Sequence, residues 1–129
     1  KDIRNIEFKN QIKFDRVIFG SVLQYLNNYS EIDKIFFNLN RLTKKKSKIL
    51  FTHNPDILKK YIHIKSYKKL TWSKKKIIES LKSEEDRFWL DFKKIKKLAL
   101  KNGFQIKNKL KIDKSLYGNT HMFDFLLYK

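Results

Sequence analysis

The sequence predicts an α/β fold, built as a single domain over residues 1–129. The first observation is an apolar run within Phe14–Leu26 that ends in Gly20 and Ser21. A buried strand followed by such a small-residue turn is typical of open α/β sheets, which bind ligands just beyond the carboxyl ends of their strands. The second is the succession that follows: an amphipathic helix, a short apolar strand, a variable region, another helix and two terminal strands. The chain is 41% hydrophobic, which is enough to form one core at this length.

The charge balance is strongly basic, with a net charge of +18 from 31 basic and 13 acidic residues. It suits nucleic acid, an acidic partner or an anionic membrane surface. Nucleic acid is possible but not favoured, because the basic residues are nearly all lysines and lie along the whole chain. There is no cysteine, no signal-peptide pattern and no apolar run of about 18 residues, so we expect a cytoplasmic protein without disulfides or a transmembrane segment.

The first half of the chain alternates strand, helix and strand. Val17–Phe19 is predicted to be a buried strand. Ser30 is predicted to cap a helix with apolar residues every three or four positions, and the Lys44–Lys46 run to close it. Lys48–Thr52 is predicted to be the next buried strand. Pro55 breaks the chain after it, so His53 and Asn54 are predicted to lie at the ligand edge of the sheet.

The second half begins with residues 57–87, which carry two short helical patterns, one at Ile57–Ile62 and one at Ser73–Leu81, and no catalytic motif. They are interpreted as a variable lid or acceptor-recognition insert, or equally as a basic surface excursion. Phe88–Lys101 is predicted to be a helix, and Gly103 its left-handed C-terminal residue. Alternating apolar residues then predict a strand at Phe104–Ile112, and the apolar stretch His121–Lys129 is predicted to be the final strand.

Two passages resemble the class I S-adenosylmethionine-dependent methyltransferases. One matches the fourth strand of that family and the loop after it, through Phe14, Asp15, Val17, Ile18, Gly20, Ser21, Val22, Leu23 and Leu26. The other, LALKNGF at residues 98–104, is similar to the passage from the last helix into the sixth strand. The resemblance implies a Rossmann-like methyltransferase sheet, of which this chain holds the region of strands four to seven with flanking helices.

The resemblance covers only the second half of that fold. The glycine-rich loop and the ribose-binding acid of the family lie in its first half, and no G-x-G pattern occurs here. The chain also begins with Lys1 rather than Met. The N-terminal half is therefore expected outside this chain, in cis or in another chain.

The resemblance implies S-adenosylmethionine as cofactor and assigns residues to it. Asp2 would accept a hydrogen bond from the adenine amino group, with Ile3 packed on the ring; the alternative is that Asp2 is only a frayed terminal residue. Gln24 occupies a variable position of the VLxxL passage, and its alternative is a solvated helical turn. The methionine end would be lined by Phe19, Gly20 and Ser21, partly through backbone groups.

His53 and His121 are the candidate general bases, because each lies at a predicted strand end and histidine titrates near neutrality. For each one the alternative is an ordinary surface or supporting histidine. No metal site is predicted, since the three histidines are widely spaced in the sequence.

Methyl transfer to a small-molecule or sugar acceptor, at an oxygen or nitrogen nucleophile, is the expected function. One rival hypothesis is a non-enzymatic basic module that binds nucleic acid or an acidic partner through lysines and interleaved aromatics. Another is a degenerate methyltransferase half that serves as a scaffold.

Overall fold

The computed structural model describes residues 13–115 and 120–129 and confirms the α/β class. Within these residues four strands form one mixed sheet, accompanied by four α-helices. The strands are β1 (Phe14–Gly20), β2 (Thr43–Pro55), β3 (Gln105–Ile106) and β4 (Met122–Tyr128). The helices are α1 (Tyr29–Leu42), α2 (Lys60–Ser66), α3 (Lys74–Asp86) and α4 (Phe92–Lys101).

The sheet has the strand order β1-β2-β4-β3. β1 and β2 are parallel and are joined by α1, as a parallel pair requires a crossover connection. β4 runs antiparallel to both of its neighbours, β2 and β3. The carboxyl ends of β1 and β2 and the beginning of β4 therefore meet at one edge of the sheet.

One face of the sheet carries the hydrophobic core. Phe19, Phe51 and Phe125 are stacked in register across three strands, with ring centroids 4.8 Å apart in each neighbouring pair. α1 packs on this row through Phe36, and α4 packs on it through Phe92. Both helices thus cover the same face, where buried aromatic rings dominate the energetics of packing.

The opposite face carries a second apolar row, formed by Ile18, Leu50 and Leu126, which are aligned across β1, β2 and β4. Ile18 is 73% exposed. The prediction that Val17–Phe19 is a buried strand is therefore wrong for this face, because no described element covers it. Among the described residues β1 is also an edge strand, pairing only with β2.

The boundaries of α1 differ from the prediction at both ends. Asn28, not Ser30, is the N-cap, and its side chain accepts hydrogen bonds from the backbone amides of Ser30 and Glu31. The helix ends at Leu42, and Lys44–Lys46 belongs to β2 instead of closing the helix. The lysines bulge out of the ladder there, since only one residue of β1 lies opposite the four between Thr43 and Lys48.

The elements after residue 87 are shorter than predicted. α4 begins at Phe92 rather than at Phe88, because the backbone of Leu90 pairs with Pro55 and Ile57 at the end of β2. Gly103 has φ +77° and ends α4 as predicted. The strand predicted over Phe104–Ile112 is reduced to β3 and an isolated bridge at Leu110.

Residues 57–87 contain α2, α3 and two single turns of 3-10 helix. Ser73 caps α3 by accepting a hydrogen bond from the Lys76 amide, which confirms the helix expected after Ser73. Of the helices within residues 13–115 and 120–129, none is long and apolar enough to cross a membrane.

Candidate functional site

The loop after β1 is folded tightly against the end of β2. Ser21 has φ +56°, in the left-handed region, and its amide donates to the Thr52 carbonyl over 3.0 Å. Gln24 lies in the following 3-10 turn with its side chain buried, so it is not the solvated helical residue of the alternative interpretation. Its Nε2 donates to the Ser21 carbonyl over 3.3 Å. Gly20 is exposed, and the Phe19 ring is packed on Phe51.

The Gln24 side chain leaves an acceptor unused. Its Oε1 is buried and has no hydrogen-bond partner within residues 13–115 and 120–129. A buried amide oxygen of this kind is costly unless a donor reaches it. The turn after β1 therefore contains a buried acceptor that no donor among the described residues satisfies.

β2 contains a β-bulge at its carboxyl end, where Thr52 and His53 together lie opposite Asp124. His53 has φ +57°, and its amide donates to the Asp124 carboxylate over 2.7 Å. The ring of His53 is half-exposed at the sheet edge. Asn54, predicted to lie at this edge, is buried and donates from Nδ2 to the Phe123 carbonyl, so it has a structural role.

Asp56 closes the same edge. Its backbone amide donates to the His121 carbonyl over 2.9 Å, and its buried carboxylate forms an ion pair with Lys109. These contacts fix the end of β2 against the beginning of β4.

A buried polar cluster lies beside this edge, centred on Glu84, which is 4% exposed. The Glu84 carboxylate accepts a hydrogen bond from the Tyr67 hydroxyl over 3.2 Å and pairs with Arg87 Nη2 at 2.9 Å. His63 Nε2 lies 3.5 Å from the other carboxylate oxygen. The Trp89 indole N–H donates to the Glu84 carbonyl over 2.7 Å. The cluster joins α2, α3 and the segment that leads into α4.

His121 links the cluster to the sheet. Its ring stacks on His63 with centroids 3.6 Å apart, and it is 2% exposed. Burial lowers the pKa of His121 to about 4, with the neighbouring His63 and Arg87 charges adding to the effect. The pKa of His63 is also lowered, chiefly by burial, although Glu84 acts in the opposite direction. Both rings are therefore neutral at pH 7.

The cluster brings together residues that are widely spaced in the sequence. His63 and His121 stack on each other because α2 folds back over the beginning of β4. Sequence reasoning also missed Tyr67, Glu84 and Arg87. Their only signal was the i,i+3 spacing of the Glu84–Arg87 pair, which is common on exposed helices. The residues described here contain no group of three or more side chains suited to hold a metal ion.

We expect the histidine pair to make the stability of the protein depend on pH. In the unfolded chain both groups titrate near pH 6.5, above their folded pKa values. Protons therefore bind the unfolded state first as the pH falls, so the stability present above pH 7 is lost towards pH 4. His121 alone accounts for about 1–2 kcal/mol between pH 7 and pH 5.

Urea unfolding at both pH values measures this loss. The His121→Phe variant keeps an aromatic ring on His63 but cannot take up a proton, so its loss should be smaller by about that amount. An equal loss in the two proteins would contradict the assignment.

The structure therefore brings Phe19, Gly20, Ser21, Gln24, His53 and His121 to one edge of the sheet or directly beside it. Asp2 and Ile3 lie outside the described residues, and their predicted roles stay predictions.

Comparisons with solved structures return S-adenosylmethionine-dependent methyltransferases. A magnesium protoporphyrin IX methyltransferase from Synechocystis PCC 6803 with bound SAH matches all of this chain, with 14% identity and a TM-score of 0.64. A methyltransferase from Clostridium acetobutylicum matches 99% of it, with 13% identity and a TM-score of 0.67. The N-methyltransferase NodS of Bradyrhizobium japonicum, also with SAH, matches all of it, with 11% identity and a TM-score of 0.59.

The match covers only part of those proteins: 49%, 62% and 52% of their chains, respectively. No family model matches the sequence, and no curated protein matches it. At these identities the likeness is one of fold. The chain thus has the Rossmann-like fold of the class I methyltransferases over part of their length, as its sequence predicts.

Proposed function

We propose that this chain forms part of an S-adenosylmethionine-dependent methyltransferase. The observation that carries the proposal is the strand order β1-β2-β4-β3 with β4 reversed, which superimposes along the whole chain on enzymes of that class. Two of these enzymes were crystallised with SAH, and one of them also with SAM. Ligands of open α/β sheets bind at the carboxyl ends of the strands, where the candidate residues lie.

The turn after β1 fits the amino-acid end of the cofactor. Gln24 Oε1 is a buried acceptor whose partner is missing among the described residues, and it suits the cofactor ammonium group. Gly20 is exposed at the strand end, so the backbone there is accessible. Ser21 is held by Thr52, and Phe19 contributes through its backbone because its ring is packed in the core. The bound cofactor supplies a methyl group activated on a sulfonium ion.

The proposal requires further polypeptide, in cis or in another chain, to complete the cofactor site. The apolar row of Ile18, Leu50 and Leu126 supports this, because an α/β sheet normally has both faces covered. The outer edge of β1 is also unpaired within the described residues. Both features suit additional strands and helices beside β1.

His53 is the better candidate for the base that takes the proton from the acceptor. Its ring is half-exposed at the strand ends, whereas His121 is buried and stacked on His63. His121 suits a supporting role, holding residues 57–87 against the sheet. That segment, as a lid or an acceptor-recognition insert, would cover an oxygen or nitrogen nucleophile of a small molecule or a sugar. A cytoplasmic location stays a prediction.

Calorimetric titration of the full-length protein with S-adenosylhomocysteine tests the proposal. Saturable binding at a single site per chain is expected, and a Gln24→Leu variant should bind at least about tenfold more weakly. Tyr25→Phe is the matched control, since Tyr25 is the exposed neighbour in the same turn. No binding by a folded full-length protein would overturn the proposal and leave a scaffold or a basic binding module.

We expect His53→Asn to lower turnover by about 100-fold while leaving S-adenosylhomocysteine affinity within about twofold. Asparagine tolerates the left-handed backbone of this position, so the bulge is kept, but it cannot take up a proton at neutral pH. The measurement is methyl transfer to an acceptor found by screening hydroxyl and amine compounds. Full turnover by the variant would exclude His53 as the base.

A further inference from the structure

α2 and the turn before it present an apolar surface to solvent. Leu58, Tyr61 and Ile62 follow the i, i+3, i+4 spacing of one helical face and are 79%, 75% and 64% exposed. We call these three residues the outer face of α2. Contiguous exposed apolar residues of this kind mark interaction sites more often than single scattered ones do.

The opposite side of α2 explains why this face points outward. His63 is anchored by its stack on His121, and the buried Tyr67 is anchored by Glu84. These contacts use the inner side of the segment. The outer face is consequently held in a fixed orientation, and no described element packs over it.

The segment that carries this face is strongly basic, although the Asp56 carboxylate lies at its start and accepts a hydrogen bond from the Leu58 amide over 3.2 Å. Residues 57–78 contain eight lysines and no carboxylate: Lys59, Lys60, Lys65, Lys68, Lys69, Lys74, Lys75 and Lys76. Trp72, which is 41% exposed, lies among them, with Lys76 Nζ 4.3 Å from its ring centroid. Tryptophan beside lysines and exposed aliphatic side chains is the composition of surfaces that lie in the headgroup region of a bilayer.

We propose that the outer face of α2, together with the lysines of residues 57–78, docks on an anionic lipid bilayer surface. The apolar side chains would enter the headgroup boundary while the lysines contact the lipid phosphates. Nucleic acid would use the lysines and Trp72, but it offers no apolar environment for Leu58 and Ile62. A second copy of the chain is disfavoured, because two such surfaces would bring like charges together. The proposal does not rest on methyl transfer.

Vesicle binding by the full-length protein tests this inference. Vesicles of phosphatidylcholine with about 30% phosphatidylglycerol are compared with phosphatidylcholine alone, by co-sedimentation and by Trp72 emission. The other tryptophan, Trp89, is 4% exposed and should not respond. We expect at least about tenfold tighter binding to the anionic vesicles, with a blue shift of Trp72.

Matched variants separate the apolar and the electrostatic contributions to vesicle binding. Leu58→Gln/Ile62→Gln and Lys68→Gln/Lys69→Gln should each weaken binding to anionic vesicles by about tenfold or more. The controls are Phe37→Gln/Leu100→Gln and Lys96→Gln/Lys97→Gln, which change exposed apolar residues and exposed lysines on α1 and α4 and should stay within about twofold.

Three results would overturn the proposal. One is the absence of binding to anionic vesicles. Another is binding that depends on the lysines but not on Leu58 and Ile62, with tighter binding to single-stranded nucleic acid, which would indicate a polyanion site. The last is self-association that Leu58→Gln/Ile62→Gln abolishes, which would indicate an interface between copies.

Discussion

Replacing Phe51 with alanine is expected to lower the free energy of unfolding by about 3–5 kcal/mol. Phe51 is fully buried at the centre of the core. Its ring stacks between Phe19 and Phe125 and meets the edge of Phe36 at 5.7 Å. Truncation would leave a cavity bordered by three strands and α1, which a paired sheet cannot close by moving one element.

Urea denaturation followed by circular dichroism measures this effect in the full-length protein. The control is Phe37→Ala on α1, where the same residue type is 56% exposed and the loss should be below about 1 kcal/mol. Equal losses in the two variants would mean that the aromatic row does not form the core.

Replacing Glu84 with alanine is expected to cost about 3 kcal/mol. The carboxylate is shared by Tyr67, Arg87 and His63, and its removal would leave the Arg87 charge largely buried without its partner. Glu84→Gln keeps an acceptor for the Tyr67 hydroxyl and should lose less, about 1–2 kcal/mol. The difference in unfolding free energy between the two Glu84 variants reports how much of the loss is due to charge.

The neighbouring residue provides the comparison. Glu85→Ala changes an exposed carboxylate one position along α3 and should fall within about 0.5 kcal/mol of the parent protein. Unfolding monitored by the buried Trp89 is the appropriate signal, since its indole donates to the Glu84 carbonyl. Loss of the Trp89 signal before the sheet unfolds would show that the cluster opens separately. Equal stabilities of Glu84→Ala and Glu85→Ala would contradict the assignment of Glu84 as the centre of the buried cluster.

Local pattern predicted the elements whose ends are set by their own residues. The helix after Ser73 and the stop at Gly103 follow from side-chain capping and from a left-handed backbone. The apolar stretch before Lys129 likewise predicted β4. The wrong predictions concern boundaries that are set by backbone contacts with residues distant in the sequence. Leu90 is held in a bridge with Asp56, so it cannot begin the helix that its sequence favours.

The candidate site was only partly predictable for the same reason. His53 could be placed because it directly follows an apolar strand. The partners of His121 could not, since His63 and Glu84 lie far from it in the sequence and meet it only through the packing of α2 and α3. Contacts of this kind depend on how a segment folds back, which apolar periodicity does not specify.

Because of the bulge at Thr52 and His53, we expect this part of β2 to tolerate the insertion or deletion of a residue poorly. Phe51 pairs with Phe125 and Asn54 pairs with Phe123. These two residues of β2 therefore face the same side of the sheet, although in a regular strand residues three positions apart face opposite sides. Deleting one residue between them would restore a regular ladder, but it would also displace the His53 amide, which donates to the Asp124 carboxylate. Insertions and deletions should therefore be tolerated far better in the exposed connection at residues 70–72, before α3, than in these two positions.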